Sequence, residues 1–237
     1  MIEMHNINLI YPNGVHALQD LNLYIEKGEF VFLVGATGSG KSSILKLIYR
    51  EIMPTDGDIY VNDKDITDMK KRDIPYLRRL LGVVFQDFKL IPHKNVYENV
   101  AYALEVTGAP RRDIVPKVNN VLELANLQGK QKRFPGELSG GEQQKTSLAR
   151  AIVNSPLILL ADEPTGNLDP ESSWEIIQLI HKINIRGTTV IIATHNKEIV
   201  DMMRKRVIVV SKGRIAVDQE KAHYFPLVEE NMKSGEV

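Results

Sequence analysis

The 237-residue chain contains no cysteine. Disulfides, thiolate metal sites and cysteine nucleophiles are therefore excluded, and the absence is compatible with a reducing compartment. Net charge is also missing, with Lys plus Arg and Asp plus Glu at 30 each. Nothing global draws such a chain to nucleic acid or to an acidic membrane surface. Local basic clusters stand at Lys70-Lys71-Arg72, Arg78-Arg79 and Lys130-Gln131-Lys132-Arg133. A solvated face is the ordinary explanation for each, and contact with lipid headgroups or a partner is the alternative. Long apolar runs are lacking. Leu157-Ile158-Leu159-Leu160-Ala161 falls far short of the about 20 residues that span a bilayer. The first residues, MIEMHNINLIYPNG, have no basic start followed by an apolar core and a small-residue cleavage site. The expectation is a soluble protein that reaches any membrane through a partner. No internal repeat or low-complexity tract interrupts the chain.

The length suits one large domain, or one domain with a subdomain. Leu21 to Ile25 alternates apolar and polar, as a half-buried strand does. Phe30 to Val34 is continuously apolar and ends at Gly35, which predicts a strand covered on both faces. Ser42 to Glu51 places Ile44, Leu45, Leu47 and Ile48 on one helical face. Leu157 to Ala161 and Thr188 to Thr194 read as two more buried strands, with a helix over Ser172 to Asn184 between them. Strands alternating with helices predict an α/β fold with a largely parallel sheet, whose ligands bind at the carboxyl ends of the strands. Arg206 to Val210 and Arg214 to Val217 read as a hairpin. From about Asp87 to Ser155 the periodicity is helical, over Tyr97 to Val106 and Ile114 to Leu124, which predicts an inserted helical subdomain. Phe225 to Val237 is expected to be a loosely ordered tail.

Gly35-Ala36-Thr37-Gly38-Ser39-Gly40-Lys41-Ser42 matches the phosphate-loop pattern in every position, between a predicted strand and a predicted helix. Its glycines let successive N–H groups curl around phosphates, and the following helix adds its positive end. Lys41 is a point charge for the terminal phosphates and Ser42 a hydroxyl for Mg²⁺. Asp162 and Glu163 end an apolar strand. Adjacent like charges are costly there unless a cation compensates, and a solvated strand exit is the plain alternative. Leu138-Ser139-Gly140-Gly141-Glu142 precedes a helical stretch from Glu142 to Val153. A serine and two small residues at a helix start make an anion site, or simply a helix cap.

Together these motifs resemble the ATP-binding-cassette (ABC) family of ATPases from Ile2 to about Val217. The resemblance implies a P-loop NTPase nucleotide-binding domain with three parts. These are a RecA-like core at about 1–86 and 156–217, which carries an antiparallel β subdomain, an α-helical subdomain at about 87–155, and a tail from 218 to 237. It implies a Mg²⁺-dependent hydrolysis of ATP in which Asp162 orients the metal shell, Glu163 polarises the attacking water and Lys41 holds the terminal phosphates. His195 matches the switch histidine at the γ-phosphate, and Gln86 the glutamine that senses Mg²⁺ and that phosphate. Asp169, in Gly166-Asn167-Leu168-Asp169, matches the loop that crosses to a second subunit. Tyr11 matches the aromatic that stacks on adenine; a core tyrosine is the alternative, and stacking alone does not select ATP over GTP. His5, His16, His93, His181 and His223 have no such context. The signature residues Ser139, Gly140, Gly141 and Glu142 serve, in this family, the nucleotide held by a second copy. The chain is therefore expected to form a homodimer with ATP. In a single chain, Ser139 to Gly141 are expected to face solvent, roughly tens of ångströms from their own phosphate loop. Two departures stand out. Ser43 replaces the usual threonine after the loop hydroxyl, and Lys145 stands where the family usually has arginine, which puts a bidentate contact in doubt.

Asp162 to Asp169 is similar to a subgroup that includes lipoprotein-release, macrolide-export and cell-division ATPases, and Leu77 to Asp87, Val96 to Val106 and Phe134 to Gln144 favour its cell-division members of the FtsE type. Lipoprotein-release and macrolide-export ATPases are the alternative subgroup. The resemblance implies an integral membrane partner of the FtsX type and a peripheral place on the cytoplasmic face of the bacterial cell membrane. It also implies an ATP-driven dimerisation that regulates cell-wall hydrolysis during division, without nucleic acid. Phe88, Leu90, Ile91, Val96 and Tyr97 are either the docking surface for that partner or part of the helical core. A nucleotide-gated interaction module, in which hydrolysis is secondary, is a reading of a different class. Translation-factor and DNA-repair ABC proteins carry two cassettes or long coiled coils, and this chain has neither.

Overall fold

Side chains along Ile2–Ile10 and His16–Ile25 alternate between core and solvent, and these segments pair antiparallel as β1 and β2. The computed structural model describes residues 1–220. On its other edge β1 pairs with β4 (Asp56–Val61), which turns into the short β5 (Lys64–Asp65). Asn62 and Asp63 make that turn with φ of 50° and 60°, a conformation that suits Asn and Asp in two-residue hairpins. The antiparallel sheet runs β2-β1-β4-β5.

The same unit, residues 1–77 with the segment from 189 onward, holds a parallel layer. Its centre is β3 (Phe30–Val34), in which all five residues are buried. That explains a sequence with no polar position. β3 lies between β8 (Thr189–Ala193) and β9 (Arg206–Ser211), parallel to both. Lys212 and Gly213, with φ of 47° and 79°, turn β9 back into β10 (Arg214–Gln219). The strand runs two residues beyond the expected Val217. The helix α1 (Lys41–Ile48) follows β3 and buries Ile44, Leu45, Leu47 and Ile48. It stops short of the expected Glu51, and Arg50 takes φ 55°. β8 leads into α7 (Lys197–Met203).

The chain leaves this unit within α2 (Ile74–Arg79). The second unit spans residues 78–188. Its strands β6 (Leu81–Val84) and β7 (Ile158–Asp162) run parallel, Leu81 opposite Ile158 and Val84 opposite Ala161. Between them come α3 (Val96–Val106), α4 (Arg111–Leu124) and α5 (Gly140–Ile152), with no strand among the described residues. α5 packs on α3, α4, β6 and α6 (Pro170–Ile185). α6 begins earlier than the expected Ser172 because Asp169 caps it and Pro170 suits the first turn. The expected tail, Phe225 to Val237, lies outside the described residues.

Candidate nucleotide site

The phosphate loop is built where two positions have no room for a side chain. At Gly35, φ is 148° and a Cβ would run into the Val210 carbonyl. At Gly40, φ is 115° and a Cβ would stand 2.7 Å from Leu18 Cδ2 and 2.9 Å from the Ala17 carbonyl oxygen. Strand β3 and the β9–β10 turn grip the loop, and the Gly213 N–H donates to the Ser39 carbonyl at 3.0 Å. Lys41 Nζ lies back over the loop, donating to the carbonyls of Gly35 and Ala36 at 2.8 and 2.9 Å. Ala36, Thr37, Gly38 and Ser42 are exposed, whereas Ser39 and Ser43 are buried. The buried Ser39 hydroxyl has no hydrogen-bond partner among the described residues.

The start of α1 differs from those of α3, α4, α5, α6 and α7. Gly40 offers no side-chain cap, and the first turn contains no acidic residue. By contrast α3, α4, α5, α6 and α7 carry Glu98, Asp113, Glu142, Glu171 and Glu198 in their first turns, where carboxylates complement the positive end of a helix. The helical ladder of α1 opens with Ile44 N–H to the Gly40 carbonyl, and the amides ahead of it point past the helix end. Such a helix start is open to an anion from outside.

Tyr11 and His195 belong to the same unit as this loop. Tyr11 starts the β1–β2 turn and is half-buried, with its hydroxyl 3.0 Å from Ser43 Oγ. His195 is exposed one residue past Thr194, whose N–H donates to the Leu33 carbonyl at 3.0 Å. That bond sets His195 at the carboxyl end of β8, level with the start of the loop. Asn196 then caps α7, its side chain accepting from Ile199 N–H at 3.2 Å.

In the second unit, Gln86 stands two residues past Val84 and Glu163 two past Ala161, so parallel pairing brings them to one strand end. Asp162 and Glu163 are half-buried, and Gln86 is exposed. Glu163 has φ 47°, a left-handed turn uncommon for a residue with a Cβ. Gln86 and Asn167 exchange amide contacts, Gln86 Nε2 to Asn167 Oδ1 at 3.5 Å and Asn167 Nδ2 to the Gln86 carbonyl at 3.3 Å. Gly166 makes room, because a Cβ there would lie 3.1 Å from Gln86 Nε2. Asp169 accepts the Ser172 N–H at 2.8 Å. That bond, with help from the Ser172 hydroxyl, holds its carboxyl below the usual range.

The signature starts α5. Ser139 is the cap, its Oγ accepting the Glu142 N–H at 3.2 Å while Glu142 Oε2 accepts the Ser139 N–H at 3.0 Å. Glu142 also meets Lys130 Nζ at 3.0 Å. The Ser139 N–H first, and Lys130 second, keep its carboxyl low. Its oxygens thus serve the cap. The expectation of a wholly solvent-facing signature needs correction. Ser139 is exposed and Gly140 half-buried, but Gly141 is buried. The reason is packing against α6: a Cβ on Gly141 would stand 2.9 Å from Ser172 Oγ, and one on Gly140 would stand 3.2 Å from Leu168 Cδ2. Signature and Asp169 loop form one packed piece. Among the described residues Lys145 makes one hydrogen bond, Nζ to Glu175 Oε2 at 2.6 Å, in place of a two-pronged contact. Val96, one of the candidate docking residues, is buried, whereas Phe88, Leu90, Ile91 and Tyr97 are half-buried.

Three polar residues escaped the sequence reading. Gln144, fully buried on α5, donates to the Pro164 carbonyl at 2.6 Å and the Phe85 carbonyl at 3.4 Å, beside Glu163 and Gln86. Arg150 donates to the carbonyls of Lys89 and Phe88 at 2.6 and 2.9 Å. Asn99, also fully buried, bonds to Ile91 through both N–H and C=O and to the carbonyls of Lys94 and Asn95. The one available signal was a polar residue on the apolar face of a predicted helix.

Residues 18–166 match the family described as ABC transporter. The chain is 53% identical to the cell division ATP-binding protein FtsE of Bacillus subtilis (strain 168) over 224 residues, 94% of this chain and 98% of that one. It is 42% identical to FtsE of Escherichia coli (strain K12) over 215 residues, 91% of this chain and 97% of that one. Among solved structures, the dimeric post-hydrolysis cassette MJ0796 bound to ADP and Pi superposes with a TM-score of 0.85 at 33% identity, over 94% of this chain and 100% of that one. An α1 start that leaves room for an anion, a capped signature packed on the Asp169 loop and these likenesses agree, and the chain belongs to the ATP-binding proteins of the ABC transporter family.

Proposed function

We propose that this chain is the ATP-hydrolysing subunit of a cell-division ABC complex, acting as an ATP-closed homodimer beneath an integral membrane partner of the FtsX type. The observation that carries the nucleotide assignment is the start of α1, the one helix of eight or more described residues whose first turn has neither an acidic residue nor a side-chain cap. The cell-division relatives support the biological setting, and the dimeric cassette bound to ADP and Pi supports the assembly. No helix among the described residues is long and apolar enough to cross a membrane. A peripheral position on the cytoplasmic face, held by the partner, follows from the reading.

Lys41 exchanges the Gly35 and Ala36 carbonyls for phosphoryl oxygens, which are charged and hence stronger acceptors. The amides of Gly35 to Ser43 cradle the phosphates, and Tyr11 offers its ring to the base. Among the described residues no three His, Asp or Glu form a metal cage of their own. Ser42, Gln86 and Asp162 are instead a hydroxyl, an amide and a carboxylate, the hard oxygen set that suits Mg²⁺ sharing its shell with phosphates and water. Mg²⁺, when bound, neutralises charge developing on the phosphates. Glu163 accepts a proton from the attacking water, and His195 reaches the γ-phosphate. Ser139 and the Gly140 and Gly141 amides complete the site of the other copy. Phosphoryl transfer then depends on positioning and charge rather than on covalent chemistry.

Glu163→Gln is the test. ATP binding should stay within about twofold of the parent, while turnover falls by about 10²-fold or more and a dimer accumulates with ATP in light scattering. Parental turnover would remove Glu163 from the catalytic role. Full support of division by this variant, with none from Lys41→Ala, would favour the nucleotide-gated module instead.

A further inference from the structure

Just past Gln86 the backbone does something bulky residues avoid. Phe88 and Lys89 are consecutive and have φ of 59° and 49°. For residues with a Cβ the left-handed region is unfavourable, and two in succession are rare. Such a conformation persists only where surrounding structure imposes it. The imposing group is Arg150, whose two terminal nitrogens donate to these same two residues, Nη1 to the Lys89 carbonyl at 2.6 Å and Nη2 to the Phe88 carbonyl at 2.9 Å. Arg150 is half-buried, and no carboxylate pairs with it among the described residues. A desolvated guanidinium that binds only carbonyls has the loop as its partner. Six residues earlier on the same helix, Gln144 donates to the Phe85 carbonyl, on the other side of Gln86, and to Pro164, next to Glu163. The helix that makes both contacts, α5, begins at the signature cap Ser139.

We infer that Arg150 is a positioning residue that locks the Phe88-Lys89 turn, so that the signature helix sets the place of Gln86. Displacement at Ser139, where a second copy's nucleotide would bind, is thereby passed along one rigid helix to the segment around Gln86. Arg150 and Gln144 grip that segment from both sides, and the Lys89–Asp87 ion pair at 2.6 Å closes the turn. The inference rests on the roles proposed above for Gln86 and Glu163.

The test uses the full chain carrying Arg150→Met, read by hydrogen exchange over residues 85–91, by affinity for a fluorescent ATP analogue and by Mg-ATP turnover. Exchange over 85–91 should rise about tenfold. Turnover should fall about tenfold, with nucleotide affinity within about twofold. Adding Lys89→Gly should restore much of the lost turnover, because glycine enters the left-handed region at no steric cost. Arg150→Lys, with a point charge instead of a planar fork, should fall between. Unchanged exchange at 85–91, or a turnover defect that Lys89→Gly does not relieve, overturns the inference. If Arg150→Met does not fold, Arg150→Lys with and without Lys89→Gly decides by the same readouts. Should Glu163→Gln keep parental turnover, the catalytic assignment fails on its own, while the exchange result still judges Arg150.

Discussion

Alanine at Gly141 adds one methyl group where the signature helix meets α6. The new Cβ would stand 2.9 Å from Ser172 Oγ and 3.1 Å from Ser172 Cβ. The first distance is shorter than Cβ atoms adopt and the second is tighter than most, and overpacking of this kind costs about 1–3 kcal/mol. Opposing this, alanine is favoured over glycine in a helix by about 1 kcal/mol. The balance is a net loss of about 1 kcal/mol, or about 2–4 °C in melting temperature for a chain of this size. The functional loss should be larger than that figure suggests. Ser172 also donates its N–H to Asp169 at 2.8 Å, so yielding to the methyl moves the cap of α6 together with the Asp169 loop. Ser172→Gly removes both atoms that clash and, alone, loses about 0.5 kcal/mol of helix propensity. A double-mutant cycle in urea should therefore show favourable coupling of about 1–2 kcal/mol between the two substitutions. Mg-ATP turnover should fall in Gly141→Ala and recover in the pair. Additivity within about 0.5 kcal/mol, or turnover that falls alike with and without Ser172→Gly, would refute the claim that this contact is what the methyl strikes.

Asn99→Leu removes the acceptor of the Ile91 N–H and the side-chain bonds to the carbonyls of Ile91, Lys94 and Asn95, although Ile91 and Asn95 keep backbone bonds from the Lys94 and Asn99 N–H groups. It should lower stability by about 3 kcal/mol in denaturant titration. Arg206 forks onto both oxygens of Asp218 and also bonds Glu29 and the Tyr24 carbonyl. Its pKa is raised, chiefly through Asp218. Arg206→Met should cost about 2 kcal/mol by calorimetry, and Arg206→Lys should recover less than half, since lysine lacks the planar fork. In acid, the caps should weaken. The carboxyls of Glu142 and Asp169 are depressed from ordinary values of 4.5 and 3.8. Their contribution is therefore complete above those values and disappears as pH falls through the lower folded-state ones. Urea midpoints should fall with acidification below about pH 5, and Glu142→Gln should show a shallower fall; an identical slope counts against the cap.

Legibility followed the range of each interaction. Phe30 to Val34 and the loop after it could be read because burial on both faces removes every polar residue, and because Gly35 and Gly40 answer to neighbours that exclude a Cβ. Asp162, Glu163 and His195 could be read because each ends an apolar run at a strand terminus. β1 was harder, since Asn6, at φ 51°, breaks its alternation. The buried face of Gly141 was misjudged because a glycine carries no sign of which side packs. Arg150 was invisible for a different reason: its acceptors lie 61 and 62 residues away and are backbone carbonyls, which every residue possesses. The same holds for Gln144, bonded to Pro164 from 20 residues away. Residues that face a ligand must have particular chemistry and therefore leave motifs. Residues that hold those motifs in place need only a donor at the right point in space, and a one-dimensional pattern does not specify that point. Substitutions at Gln144, Arg150 and Ser172 should accordingly affect turnover through geometry, with nucleotide affinity little changed, whereas substitutions at Lys41 should act on affinity itself.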